Sequence, residues 1–318
     1  MKINQISQGS AVDSSEKLTK LAVSEFVNSF PLANFAEFYA ITGNADTPRK
    51  VDGNLTAGGN RTIGTDYTAK SNTPSFGAVT LKIYGDKVKT DLAYQRRGVD
   101  IGSQRALDLA NFSRSLGRFF ADSVINDEID SSKFSGLLEQ ATELSRKIVF
   151  DTENGGSLPT GNASADRKQQ MKFMEWLDAQ IQDIAGGPQV ILANGALISR
   201  LESIGKEFIS TNVAQDVYGG NQVVKTYKQI PIVNAGFKAD NSGLIIPNNE
   251  TEGTSDNCTS LYLLRFGEQT DVTFATNVGL DVKDMGLIGT EYVTMVEFDV
   301  DLAVLNDKAF KRCSGIIL

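Results

Sequence analysis

The sequence predicts an α+β chain, on three observations. A strongly amphipathic helical pattern runs over about 103–126, a helix-strand-helix unit occupies 164–205, and period-two alternation fills 295–304. Apolar residues three and four apart line one face of a helix, whereas strict alternation lines one face of a strand. With 318 residues the chain has room for about two domain-sized units and a core that needs no disulfide or metal.

In chain order, the first element is a helix opening at Ser14 or Ser15 as N-cap, with Leu18, Leu21, Ala22 and Phe26 facing inward and an end before Pro31. Residues 43–77 follow, rich in Gly, Asn, Thr and Asp and lacking any run able to form a core. A loop of that length is functional or a linker. Val79, Leu81 and Ile83 then alternate with polar residues, Gly85-Asp86 reads as a tight turn, and a second strand covers 87–94. A long, basic, polar arm that ends in β-structure and carries almost no core is expected to find its partner in another subunit.

The long helix carries Leu109, Phe112, Leu116 and Phe119 on one face, with Phe120 and Val124 beside them, and Arg105, Asp108, Arg114, Arg118 and Asp122 on the other. It reads as a spine on which other elements pack. Residues 151–163 form a second flexible stretch and a boundary. Ser164 then caps a helix striped by Met174, Leu177, Ile181 and Ile184 and ended by Gly186-Gly187-Pro188. A buried strand over 189–193 and a turn at Asn194-Gly195 lead into a short helix with Leu197, Leu201 and Ile204 inward and Gly205 closing it. Short strands are expected at Val223–Tyr227, Ile230–Val233, Leu244–Ile246, Leu261–Phe266 and Val272–Thr276. In the last clear strand, 295–304, Val296, Phe298, Val300, Leu302 and Val304 share one face and Glu297, Asp299 and Asp301 the other. Those carboxylates read as a solvated outer face, a contact for a basic partner, or a weak cation site.

The chain contains no histidine, which removes the commonest general base near neutral pH and the usual nitrogen ligand of zinc, copper or iron. Cys258 and Cys313 lack CxxC spacing and read as small buried or half-buried thiols in a reducing compartment. Residues 59–65 have two glycines of a phosphate loop but no Lys after the second, and 248–253 start like a calcium loop with Glu where shorter ligands belong. No apolar run approaches a membrane span, and the start has no apolar leader region. No cofactor and no catalytic site are expected.

The net charge of −8 is divided along the chain. From Asp46 to Arg97 nine bases face five acids, net +4, while from Asp240 to Asp307 thirteen acids face two bases, net −11. This suits either two solvated faces or complementary surfaces that meet between copies of the chain.

Several short motifs, in order, resemble the major capsid proteins of tailed phages with the Hong Kong 97 fold. They are the loop and β-arm before Tyr94-Gln95-Arg96-Arg97, the spine helix, and Phe134-Ser135-Gly136-Leu137-Leu138, similar to an "F-x-G-L" turn. Gln229-Ile230-Pro231-Ile232-Val233 resembles the "G-I-P-I-V" strand, and the stretch 261–267 follows in place. The ending 302–316 resembles "G-L-A-V-x-N-x-x-A-x-x-R-x-x-G-I". The resemblance implies an N-terminal arm (1–42), an E-loop with its β-arm (43–97), a peripheral domain with the spine helix (98–163), an axial domain (164–275) and C-terminal strands returning to both (276–318). It implies pentamers and hexamers closing into an icosahedral shell around double-stranded DNA, in the virion, after assembly in the host cytoplasm. A separate scaffolding protein and a portal are the implied partners, with DNA contacted non-specifically at most and no membrane. Arg49, Lys50, Arg61, Lys70, Glu297, Asp299 and Asp301 become the candidate inter-subunit residues. An encapsulin-type compartment shares the fold, and the open loop at 43–77 favours the phage reading. A carboxylate-based hydrolase is the rival of another class, and it requires a deep pocket with two facing acids.

Overall fold

The computed structural model describes residues 16–51, 59–67, 74–205, 209–215 and 221–318. Helix α1 (Glu16–Ser29) leads through β1 (Phe38–Ala40) into the arm, whose two sides are β2 (Ala45–Asp46) and β3 (Val79–Thr80). Strand β4 (Lys82–Asp91) and the short α2 (Ala93–Arg96) precede the spine helix α3 (Ile101–Asn126), followed by α4 (Leu137–Glu143), β5 (Lys147–Val149) and β6 (Gly156–Ser157). Next come α5 (Ser164–Gln182), β7 (Val190–Ala193), α6 (Gly195–Ile204), β8 (Ile209–Gln215), β9 (Asn221–Tyr227) and β10 (Ile230–Asn234). The chain ends with β11 (Glu250–Glu252), β12 (Ser255–Leu264), β13 (Val272–Ile288), β14 (Glu291–Val304) and β15 (Phe310–Ile317). The N-cap expected at Ser14 or Ser15 lies outside the described residues.

Among the described residues the strands form a four-stranded sheet ordered β1-β13-β14-β4, a nine-stranded sheet built on the order β5-β15-β12-β7-β10-β9-β8, and the β2-β3 pair. One core lies between the four-stranded sheet and helices α1 and α3. It is rich in aromatic rings: Phe30 and Phe120 stand 5.0 Å apart between centroids, Phe38 and Phe274 5.0 Å, and Phe120 and Phe298 5.3 Å. Strand alternation splits the nine-stranded sheet between two cores. Val190, Leu192, Tyr262 and Leu264 join the aromatic one, while Ile191, Ala193, Leu261 and Leu263 face Phe173, Leu177, Leu197 and Leu201 of α5 and α6.

Several expectations are corrected. No turn stands at Gly85-Asp86, because β4 runs straight through it with Gly85 opposite Glu297. A Cβ at Gly85 would lie 2.1 Å from the Val296 carbonyl oxygen, so this glycine marks a close backbone approach and not a reversal. Phe119 is 45% exposed, and the buried stripe of α3 runs through Leu109, Leu116, Gly117, Phe120 and Val124. Gly117 lets α1 cross closely, since a Cβ there would meet the Phe26 carbonyl at 2.6 Å. Ser164 is the first residue of α5, with Ala163 in the cap position. The stretch expected to be flexible at 151–163 contributes β6 to the sheet and buries Leu158 completely. Leu244–Ile246 forms no strand; Leu244 makes one isolated bridge to Phe237. The alternation at 272–276 and 295–304 understates one long hairpin, β13 against β14, and the last strand is β15, which lies inside the larger sheet. The turn expected at Asn194-Gly195 leads into α6, and the structure adds that Asn194 caps that helix, accepting from the Leu197 amide at 2.8 Å.

Candidate assembly surfaces

The arm is an antiparallel ladder. Ala45 and Asp46 pair with Thr80 and Val79, Arg49 bridges to Phe76, the Lys50 amide donates to the Ser75 carbonyl at 2.9 Å, and that of Gly77 to Pro48 at 2.8 Å. Little inside it is apolar, so backbone pairing holds it together. Beyond the ladder, residues 59–67 are exposed throughout. Ile63 is fully exposed, Tyr67 63% and Phe76 60%, so the arm presents apolar side chains that nothing among the described residues covers. The Arg61 guanidinium lies 5.5 Å from the centre of the Tyr67 ring and donates to the Thr65 carbonyl at 3.1 Å.

Arg49 is exposed and Lys50 half-buried, and neither forms an ion pair among the described residues. Lys70 lies outside the described residues. Where the arm joins the body, Tyr39, Val79, Leu81, Ala275, Ala303 and Leu305 make a small core of their own.

The acidic strand divides. Glu297, half-exposed, stands between Asp281 of β13 and Gly85 of β4. Asp299, also half-exposed, accepts from the Asn277 side-chain amide at 3.0 Å. Asp301 departs from the solvated face expected of it: it is buried and accepts the backbone amides of Thr80 and Leu302, each at 2.8 Å. The uninterrupted apolar run Leu302-Ala303-Val304-Leu305 is the signal, in the sequence, that β14 is covered on both sides at its end.

Much of the acidic charge of the C-terminal third is used inside the subunit. Arg105 pairs with Asp284 at 2.7 Å, Lys89 with Glu291 at 3.1 Å, Arg265 with Asp271 at 3.0 Å, Arg312 with Glu250 at 2.9 Å and Lys147 with Glu252 at 2.8 Å. Four of these five bases lie outside the acidic segment, so the division by sequence is not a division by surface. The stretch resembling a calcium loop is structural as well. Burial pushes the Glu250 carboxyl up, against the pull of Arg312 and Ser260.

Two depressions stand out. One of about 440 Å³ lies beside Lys238, Leu244, Pro247 and Asn249. The other, about 220 Å³, lies at the arm root and is lined in part by Lys50, Gln140, Glu143 and Asp301. The second holds two acids, and one of them already accepts two backbone amides. Among the described residues no three Cys, Asp or Glu side chains group as a metal site, and no helix is long and apolar enough to cross a membrane.

No protein-family model matches the chain, and no curated protein matches it in sequence. Its backbone is similar to solved shell proteins. The holo-SrpI encapsulin complex of Synechococcus elongatus PCC 7942 aligns over 100% of this chain and 96% of its own, with a TM-score of 0.59 and 13% identity. The capsid of a native GTA particle aligns over 91% and 90%, with a TM-score of 0.55 and 14% identity. The satellite phage P4 procapsid aligns over 94% and 100%, with a TM-score of 0.55 and 8% identity. The chain thus has the mixed α+β, Hong Kong 97-like fold that its motifs predicted.

Proposed function

We propose that this chain is the repeating subunit of a closed protein shell, and more narrowly the major capsid protein of a tailed phage. Its pentamers and hexamers would close into an icosahedron around packaged double-stranded DNA. The observation that carries the reading is the pairing of a shell-protein fold over the whole chain with an arm whose exposed Ile63, Tyr67 and Phe76 need a neighbour to cover them. In this reading the divisions at 42, 97, 163 and 275 separate the N-terminal arm, the E-loop with its β-arm (the arm described above), the peripheral domain, the axial domain and the returning strands. Arg49, Arg61 and Lys70 reach a neighbouring subunit with the E-loop, while Glu297 and Asp299 offer it partly exposed carboxylates. The partners are further copies of the chain, a separate scaffolding protein and a portal, and the role is structural rather than enzymatic.

An encapsulin-type compartment is the second reading, favoured by the full-length similarity to the Synechococcus elongatus encapsulin. The long open loop at 43–77 favours the capsid. Electron microscopy of the expressed protein, alone and with its candidate scaffold, tests both. Closed shells tens of nanometres across are expected, and monomers alone would sink the shell reading. Nuclease-resistant DNA inside particles from infected cells supports the capsid, and an enclosed enzyme supports the compartment.

A further inference from the structure

Asp301 lies where the arm meets the body. It is 8% exposed, and its Oδ2 accepts the amide of Thr80 on β3, the last stretch of the arm before β4. The other side of the arm is tied by the Val51 amide, which donates to the Leu305 carbonyl at 2.7 Å. The titratable groups around Asp301 are Tyr39 on β1 with Asp46 of β2 beside it, Lys82 and Tyr84 on β4, and Lys50 and Glu143 across the small cavity. None of the described cations is within ion-pair distance of it, and the buried Tyr39 hydroxyl beside it has no hydrogen-bond partner. The carboxylate is therefore held by two amides and by no contacting positive charge.

We propose that Asp301 is a proton-operated latch on the arm root: neutral, it holds β3 against the end of β14, and ionised, it makes opening of the root easier. The reason is solvation. Burial disfavours the charged form and pushes the carboxyl up to about 6, although the two amides and Lys82 pull it down. In an opened root water would restore the ordinary carboxylate affinity. The closed root thus binds the proton more tightly than the open one. Its advantage is complete below the ordinary carboxylate range, declines as pH rises towards about 6, and is constant above that. Across the whole window the opening equilibrium changes about a hundredfold, of which about tenfold falls between pH 7.5 and pH 5.

The consequence for assembly rests on the shell reading, because a shell needs its arms set at a common angle; the latch itself belongs to one subunit. Hydrogen exchange of the unassembled protein at pH 5 and pH 7.5, corrected for the intrinsic rate, tests it on peptides spanning 76–84, with 109–124 of the spine helix as reference. Protection of the arm root relative to the spine should be about tenfold greater at pH 5, and Asp301→Asn should remove that difference. Equal relative protection at both pH values overturns the latch, as does an Asn variant that keeps the difference. If the variant fails to fold, the wild-type comparison still decides. Micrographs of the same protein taken under assembly conditions with its candidate scaffold keep the two ideas apart: shells without pH-dependent protection sink the latch alone, and pH-dependent protection without shells sinks the shell reading alone.

Discussion

Gly117 decides how closely α1 crosses α3 in the aromatic core. Its missing side chain leaves room for the Phe26 carbonyl of the crossing helix, and that atom is backbone, which cannot swing aside. Gly117→Ala adds helix propensity to α3 yet should destabilise the subunit by about 1–3 kcal/mol, read as a lowered thermal unfolding midpoint. A variant as stable as the wild type would mean that α1 can back away freely. Cys313 offers a second reading at this scale. It is fully buried, and burial pushes its thiol up to about 12, so the thiolate needed for alkylation is scarce. Iodoacetamide should leave Cys313 unmodified in the folded protein and label it only as the protein unfolds.

Strand β15 shows how one element can tie distant parts together. It pairs with β12 along most of its length and with β5 and β6 on its other side, and Arg312 projects from it to Glu250 of β11. Arg312 is 6% exposed and the Glu250 side chain 13%, so removing Arg312 leaves a largely desolvated carboxylate without its cation. Arg312→Met should cost about 3–5 kcal/mol near neutral pH. The sign of the pH effect follows from burial, which already raises the Glu250 carboxyl: the variant should regain stability as acid neutralises Glu250 and lose it again as pH rises. Chemical denaturation at pH 5 and pH 7.5 checks both statements. The spine helix opens with a simpler device, since Asp100 accepts from the amides of Gly102 and Ser103, and its carboxyl is held below the ordinary range by the Ser103 hydroxyl and these amides. That cap weakens as pH falls through the lower carboxylate range, so helix fraying near 101–104 should increase in strong acid.

For the whole molecule, the test is whether the arm's charge serves assembly or merely solubility. Arg49 and Arg61 are exposed and make no ion pair among the described residues, so Arg49→Glu with Arg61→Glu should leave the unfolding free energy of the subunit within about 0.5 kcal/mol of the wild type. Closure of shells should fail, as particle counts in micrographs would record. Normal shells from the double variant would make the arm's charge incidental. Lys50 is left out because it is half-buried at the arm root and its reversal would disturb the cavity there.

The sequence by itself determined the α+β class, the long spine helix, the helix-strand-helix unit with its turn at Asn194-Gly195, and the arm poor in core residues, because each follows from local periodicity or turn chemistry. Its motifs in order also pointed to the Hong Kong 97-like fold that the structural likeness bears out. Only the tertiary structure decided that β4 runs through Gly85, that β13 and β14 form one long hairpin, and that β15 is an inner strand of the larger sheet. Those depend on partners far along the chain: Gly85 reads as a turn until Val296 is against it, and the place of β15 inside the larger sheet is fixed only by β12, β5 and β6 on its two sides. The charge division met the same limit. A count along the chain cannot see that Arg105 and Arg312 reach into the acidic third, nor that Asp301, the last of three alternating carboxylates, lies under the root of the arm.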